Sequence, residues 1–205
     1  MNYDQIIAAT KAYSDKKNVH VTDMLDTFII MSEARMNRKL RVREMSARHS
    51  INTLTGQPEN QYPLPDDYMS MRNIYLLNGT SKQTMVLITP QEMNDAEFVS
   101  GEGGGYYYTV IENMLQITPA QDTGNSIEMS YYKRIPSLVS NATNWVSLAY
   151  PDLYLTSIMG EIESFVKNKE GADAWFSKFS TLIEEVSIND ASDRWSGSPL
   201  VMRIG

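Results

Sequence analysis

The sequence contains no cysteine and only two histidines, His20 and His49. The first absence excludes a disulfide framework, a thiolate metal site and a cysteine nucleophile. The histidines are far apart and neither belongs to a ligand spacing such as His-x-x-x-His, so no metal site and no cofactor is expected. No apolar run reaches the roughly 18 residues that suggest a membrane span. The opening Met1-Asn2-Tyr3-Asp4-Gln5 carries an acid and no basic cluster, so a secretory signal is not expected either. Folding in a cytoplasm is the expectation. Positive charge is scarce as well: 18 Lys and Arg face 25 Asp and Glu, a net charge of −7. An acidic chain is poorly suited to tight duplex binding, because that affinity rests on neutralising phosphates.

Catalytic patterns are missing too. Gly101-Glu102-Gly103-Gly104-Gly105 is glycine-rich but lacks the Gly-Lys-Ser/Thr ending of a phosphate loop, and it runs into tyrosines, so a flexible loop is expected. Asp66, Asp67 and Asp122 read as turn residues. Glu161 and Glu163 are two apart on a predicted helix and do not share a face. No Ser-His-Asp arrangement can be assembled, and the chain is not expected to be an enzyme.

What is present points to a folded protein. Apolar residues make up 42% of 205 residues, enough for a core. Thirteen methionines suit either irregular core packing or adaptable contact surfaces. The N-terminal third has helical periodicity: a short amphipathic stretch from Tyr3 to Ser14 with Ile6, Ile7 and Ala9 inside, a break at Lys16-Lys17-Asn18, then a longer helix over about Thr22 to Met45. Thr22 is the expected N-cap, and Val21, Leu25, Phe28, Ile29, Met36 and Leu40 form a stripe interrupted by Ser32. The middle third alternates with period two, as at Met114–Thr118 and Ser126–Tyr131. Asn78-Gly79 and Glu112-Asn113 mark tight connections, and about five short antiparallel strands are expected. Thr89-Pro90-Gln91-Glu92 predicts a short capped helix start. Pro151 opens a further helix. The short stretch Lys167–Gly171 joins it to another that carries Trp175, Phe176, Phe179, Leu182, Ile183 and Val186 inward, an expected helical hairpin.

The predicted fold class is therefore α+β: a helical bundle formed by N- and C-terminal helices with an inserted small antiparallel β domain. The expected divisions are N-terminal helices over 1–50, the β domain over 51–135, the C-terminal hairpin over 136–193, and an extended tail over 194–205. The tail holds Trp195 and the bare apolar group Leu200-Val201-Met202, and is expected to order only on a partner.

Charge is distributed unevenly. Residues 31–50 hold six cations (Arg35, Arg38, Lys39, Arg41, Arg43, Arg48) against Glu33 and Glu44. Residues 161–194 hold eight acids, including Glu184 and Glu185, against four cations. Complementary patches suit a head-to-tail interface between copies. Pairing within the chain or solvated faces would use the same residues equally well.

Three segments in order carry a family resemblance: Tyr62-Pro63-Leu64-Pro65-Asp66-Asp67-Tyr68 with Arg72; Tyr131-Tyr132-Lys133-Arg134-Ile135-Pro136 with Leu138, Asn144 and Trp145; and Pro151-Asp152-Leu153-Tyr154-Leu155. In this order the chain resembles the tailed-phage head-to-tail adaptor (head-completion or tail-tubular connector) family over roughly residues 1–190. The resemblance implies a structural virion protein of the neck, made in the host cytoplasm. Such a protein forms a ring of roughly twelve copies on the portal protein. It extends the DNA channel without sequence-specific binding and offers a docking surface to a tail nozzle or tail-tube protein, with no membrane involved. Intersubunit or portal contacts are expected from Arg35, Arg38, Lys39, Arg41, Arg43, Glu184, Glu185, Trp195, Leu200, Val201 and Met202. The alternatives are a tail-associated peptidoglycan hydrolase, which would need an acid/base carboxyl pair, and a stopper or tail-terminator protein of another tail type.

Overall fold

Alternating and helical periodicities occupy different stretches of the chain, and the structure sorts them into two compact units. Met1–Met45 with Ile135–Gly205 forms unit 1, and Ser46–Arg134 forms unit 2. In this computed structural model the described residues are 1–14, 19–53, 60–95, 104–121 and 124–195, without the side chains of residues 19, 20, 94, 194 and 195. Among them the chain is mixed α and β, with six helices and a seven-stranded sheet.

Unit 1 contains α1 (Tyr3–Ser14), α2 (Val19–Asp23), α3 (Leu25–Lys39), α4 (Trp145–Ala149), α5 (Pro151–Phe165) and α6 (Lys169–Trp195). Helix α5 is central: α1, α3, α4 and α6 all pack against it. Its inner face buries Leu153, Tyr154, Ile158, Met159 and Ile162. Pro151 stands at the start of α5, where its missing N–H costs nothing. Lys167 adopts φ +62 between the two helices, and Asn168 accepts the Gly171 amide at 3.3 Å while donating to Glu163 at 2.8 Å. This tight reversal makes α5 and α6 the expected hairpin.

The long helix expected over Thr22–Met45 is corrected. Thr22 lies inside α2, and the residue that precedes α3 is Met24, which makes no side-chain cap bond. Helix α3 stops at Lys39, Leu40 turns extended, and Arg43–Met45 forms a single 3-10 turn. The reason is tertiary: Asp190 of α6 accepts both the Arg43 amide (3.1 Å) and its Nε (2.9 Å), which draws the chain off the helix axis.

Unit 2 comprises β1 (Ser46–Asn52), β2 (Gln61–Pro63), β3 (Tyr68–Asn78), β4 (Ser81–Leu87), β5 (Tyr106–Ile111), β6 (Met114–Thr118) and β7 (Ser126–Lys133). The sheet order is β1-β7-β3-β4-β5-β6-β2. Seven strands replace the five expected, and β4 pairs with β5 in parallel, which corrects the all-antiparallel reading. Strand β1 straddles the division expected between residues 50 and 51, and its Ser46 stands opposite Tyr132 of β7. Both tight connections are found: Gly79 at φ +56 follows β3, and Glu112 at φ +56 follows β5. The reciprocal bonds expected of a cap at Thr89 form, but the element beyond them is a 3-10 turn over Glu92–Asn94 that follows Gln91, not a helix opened by Pro90. The Thr89 amide and hydroxyl donate to Glu92 at 2.8 and 2.7 Å, and the Glu92 amide returns a bond at 3.3 Å.

One side of every strand feeds the core of unit 2, through Ile51, Tyr62, Ile74, Leu76, Met85, Tyr108, Leu115, Ile117, Ile127, Met129 and Tyr131. The Tyr131 hydroxyl donates to Asp67 at 2.8 Å, and the Arg134 amide donates to the Asp67 carbonyl at 2.8 Å. The entry and exit motifs of unit 2 are thus bonded to each other. Burial, with Asp67 beside it, pushes the Tyr131 pKa up to about 12.

Candidate assembly surface

The cations near the end of α3 have different fates. Arg35 donates to Glu161 of α5 at 2.6 and 3.2 Å, and its guanidinium lies 4.1 Å from the centre of the Phe176 ring. Arg43 binds Asp190 and also Asp193, the latter at 3.1 Å. Lys39 donates to Ser180 at 3.0 Å and lies 5.8 Å from the centre of the Phe179 ring. For Arg35 and Arg43 the charge asymmetry of the sequence is spent inside unit 1, on partners more than 120 residues away. Arg48 belongs to unit 2, on β1.

Arg38 and Arg41 remain exposed at the end of α3, and Arg41 donates to the Asn37 carbonyl at 2.8 Å. Glu184 and Glu185 are exposed on α6. Two apolar groups accompany these charges: Ile30 and Met31 on α3 are 52% and 43% exposed, and Ile188 on α6 is 67% exposed. The Trp195 side chain and Leu200, Val201 and Met202 lie outside the described residues. So do residues 15–18, Asp122 and most of the glycine-rich stretch. Among the described residues no cluster of ligating side chains could hold a metal ion, and no helix is long and apolar enough to cross a membrane.

A buried network, which the sequence did not reveal as one, holds this surface in place. Glu33, only 5% exposed, accepts the Leu138 amide at 2.6 Å and the Tyr154 hydroxyl at 2.9 Å. Asn144 donates to that hydroxyl at 2.6 Å and to the Pro136 carbonyl at 2.7 Å, while its Oδ1 caps α4 through the Ser147 amide at 2.8 Å. Asn37 accepts the Ile135 amide at 2.9 Å. The segment returning from unit 2 is therefore pinned to α3 and α5 by residues of the second and third sequence motifs. A signal existed: Glu33 falls in phase with Ile29, Met36 and Leu40 at helical spacing, so a charged residue occupied the apolar stripe.

Burial pushes the Glu33 carboxyl above its usual range, against the pull of its hydrogen bonds from Leu138, Tyr154 and Ser137. Its folded-state pKa is thus raised above the unfolded value of about 4.3. Its contribution to stability is fully present below that value and is lost as pH rises through the folded pKa. Glu33→Gln keeps an acceptor for Leu138 and Tyr154 but carries no charge. Denaturant midpoints measured from pH 4 to 8 should therefore fall in the wild type relative to Glu33→Gln as pH rises. A relative rise would show that burial does not dominate at this carboxyl.

The three motifs thus have structural places: one bonds the entry of unit 2 to its exit, and two join the halves of unit 1. No curated protein matches the chain. A family model described as SU10 adaptor protein matches residues 1–203, and so covers both units. The family is a structural one, and a phage adaptor is a component of the virion. The chain belongs to the SU10 adaptor protein family, a family of phage head-to-tail adaptors.

Proposed function

We propose that the protein forms a closed ring of roughly twelve copies that seats on the portal, continues the DNA channel and presents the docking surface for a tail nozzle or tail-tube protein. In this reading the helices of unit 1 form a bundle that tiles around the ring axis, and unit 2 is a strand module inserted into it. The observation that carries the proposal is the family match across residues 1–203.

Neighbouring copies meet, in this proposal, through the outer faces of α3 and α6. Each sets exposed aliphatic groups near charge: Ile30 and Met31 on α3 with Arg38 at its end and Arg41 just beyond it, Ile188 with Glu184 and Glu185 on α6. The two patches adjoin in one copy, where Lys39 borders the same hollow as Glu184 and Ile188, and a contact of one patch with the other patch of a neighbour is heterologous and closes when the rotation permits. The apolar groups supply contact, and the charges set register and association rate. Arg35, Lys39 and Arg43 hold the geometry from within unit 1. Trp195 and Leu200-Val201-Met202 act as the reach to the portal.

Native mass spectrometry of the protein mixed with its portal tests this. Arg38→Glu with Arg41→Glu should lower ring yield by about tenfold at low salt, Glu184→Arg with Glu185→Arg should do the same, and combining all four should restore much of it. Full yield from either double reversal would reject the interface. No ring of the wild type on the portal would reject the function. The hydrolase alternative gains nothing from Glu33: its raised pKa suits a catalytic acid, but the carboxyl is buried and committed to Leu138 and Tyr154.

A further inference from the structure

Unit 2 is acidic, with ten Asp and Glu against five Lys and Arg over residues 46–134. Its cations are nonetheless confined to one part of the sheet. Arg48, Arg72, Lys82 and Lys133 lie on the adjacent strands β1, β3, β4 and β7, and Arg134 follows β7 directly. Of the acids, only Glu128 lies on those strands. Alternation separates the two sides: Ile51, Ile74, Met85 and Met129 enter the core, which leaves Arg48, Tyr75, Lys82 and Glu128 on the outer side.

That outer side holds a groove whose bordering aliphatic residues, Ala47 and Met129, turn into the core, while Val86, farther along β4 on the same side and 53% exposed, lies outside the groove. Its cations are held by the sheet itself. The Arg72 guanidinium lies 5.0 Å from the centre of the Tyr132 ring and donates to the Ser46 hydroxyl at 2.6 Å. Lys82 lies 4.2 Å from the centre of the Tyr75 ring and binds Glu128 at 3.1 Å. Arg48 is exposed and has no partner among the described residues.

We propose that this groove binds the phosphate backbone of duplex DNA, weakly and without regard to sequence. Guanidinium, ammonium, hydroxyl and amide donors are the groups that contact phosphate and sugar. The groove lacks the exposed aliphatic centre that a dry protein contact needs. Stacking on Tyr132 and Tyr75 positions two cations beforehand, which lowers the cost of ordering them on binding. The choice of DNA as the polyanion rests on the proposed ring function, in which the duplex passes through the assembly. Arg48 and Arg72 are the groups free to neutralise phosphate, about two per chain, while Glu128 holds Lys82 back. One copy therefore binds weakly, and a ring adds its copies' contacts by avidity.

The test is fluorescence anisotropy of the full chain with labelled 20-base-pair duplexes of unrelated sequence, between 20 and 200 mM salt. Affinity should be the same for each sequence and should fall roughly 60-fold over that tenfold rise in salt, the slope for two phosphates. Arg48→Glu with Arg72→Glu should weaken binding at least tenfold at low salt, while Lys169→Glu on unit 1 leaves it unchanged. Glu128→Gln frees Lys82 and should tighten binding about threefold and steepen the salt slope by about one, a gain that a misfolded variant cannot imitate. The proposal is overturned by absent binding at 20 mM salt, by affinity indifferent to the double reversal, or by weaker binding in Glu128→Gln. It is equally overturned if the double reversal abolishes self-association and spares DNA affinity, because the groove then receives a second copy. Ring formation on the portal is scored separately. Rings without DNA affinity reject this inference alone, and DNA affinity without rings rejects only the assembly reading.

Discussion

Tyr154→Ala should lose most of the stability of unit 1. The side chain is among the largest that are fully buried. Removing it leaves a cavity that costs about 3–5 kcal/mol for an aromatic residue. Its hydroxyl also joins Glu33 to Asn144, and each buried group left short of a partner adds about 1–3 kcal/mol. A loss of that size is comparable with the roughly 5–15 kcal/mol that holds a typical domain together. Urea unfolding followed by far-UV dichroism should therefore show a fraction of the helical signal already missing in buffer. Tyr154→Phe isolates the hydroxyl. It should cost about 1–3 kcal/mol at neutral pH. Without the Tyr154 donor, the Glu33 pKa rises further, so the penalty should shrink as pH falls and the carboxyl takes up a proton. A penalty that grows toward low pH would contradict the network.

Gly160 gives the second large effect, with a sign opposite to helix propensity. In a helix interior, alanine is favoured over glycine by about 1 kcal/mol. Here a Cβ on Gly160 would stand 2.6–2.9 Å from three atoms of the Phe176 ring. That ring cannot move freely, because the Arg35 guanidinium, itself bound to Glu161, packs over it. Gly160→Ala should therefore destabilise the hairpin of α5 and α6 by about 1–3 kcal/mol, and Gly160→Val by more. Replacing Phe176 by leucine in the Gly160→Ala background should recover part of the loss. A higher melting temperature for Gly160→Ala would show that the helices do not approach this closely.

Local chemistry made much of this fold readable. Pro151 and the stretch Lys167–Gly171 announced the hairpin, and Asn78-Gly79 and Glu112-Asn113 announced two reversals of the sheet. What escaped depended on distant partners. Ser46–Asn52 is a mostly polar edge strand with Ile51 as its one buried residue, so no alternation betrays it. The parallel pairing of β4 with β5 leaves no local mark, because alternation says which side is buried and not which strand is adjacent. The early end of α3 depends on Asp190, 147 residues beyond Arg43. Composition likewise showed that residues 31–50 and 161–194 differ in charge, but pairing is a matter of geometry. The structure spends Arg35 and Arg43 on Glu161 and Asp190 and leaves Arg38, Glu184 and Glu185 on the outside. Residues of the three short motifs that carry the family resemblance tie together parts of the chain that are far apart in sequence, as Tyr131 does with Asp67 and Tyr154 with Glu33.

The register that sets Ser46 opposite Tyr132 has a consequence for how the polypeptide matures. Joining the two halves of unit 1 means closing a loop of about 90 residues, a chain-entropy cost on the order of 4 kcal/mol beyond a constant. Unit 2 is continuous and leaves the ribosome before α6 is complete and free to pack. Once β1 has zipped against β7, the strand ends beside Met45 and Ile135 are neighbours, and most of that cost has already been met. The sheet thus acts as a clasp for the nascent protein, and lesions that delay the pairing of β1 with β7 should slow the appearance of helical packing at the opposite ends of the chain.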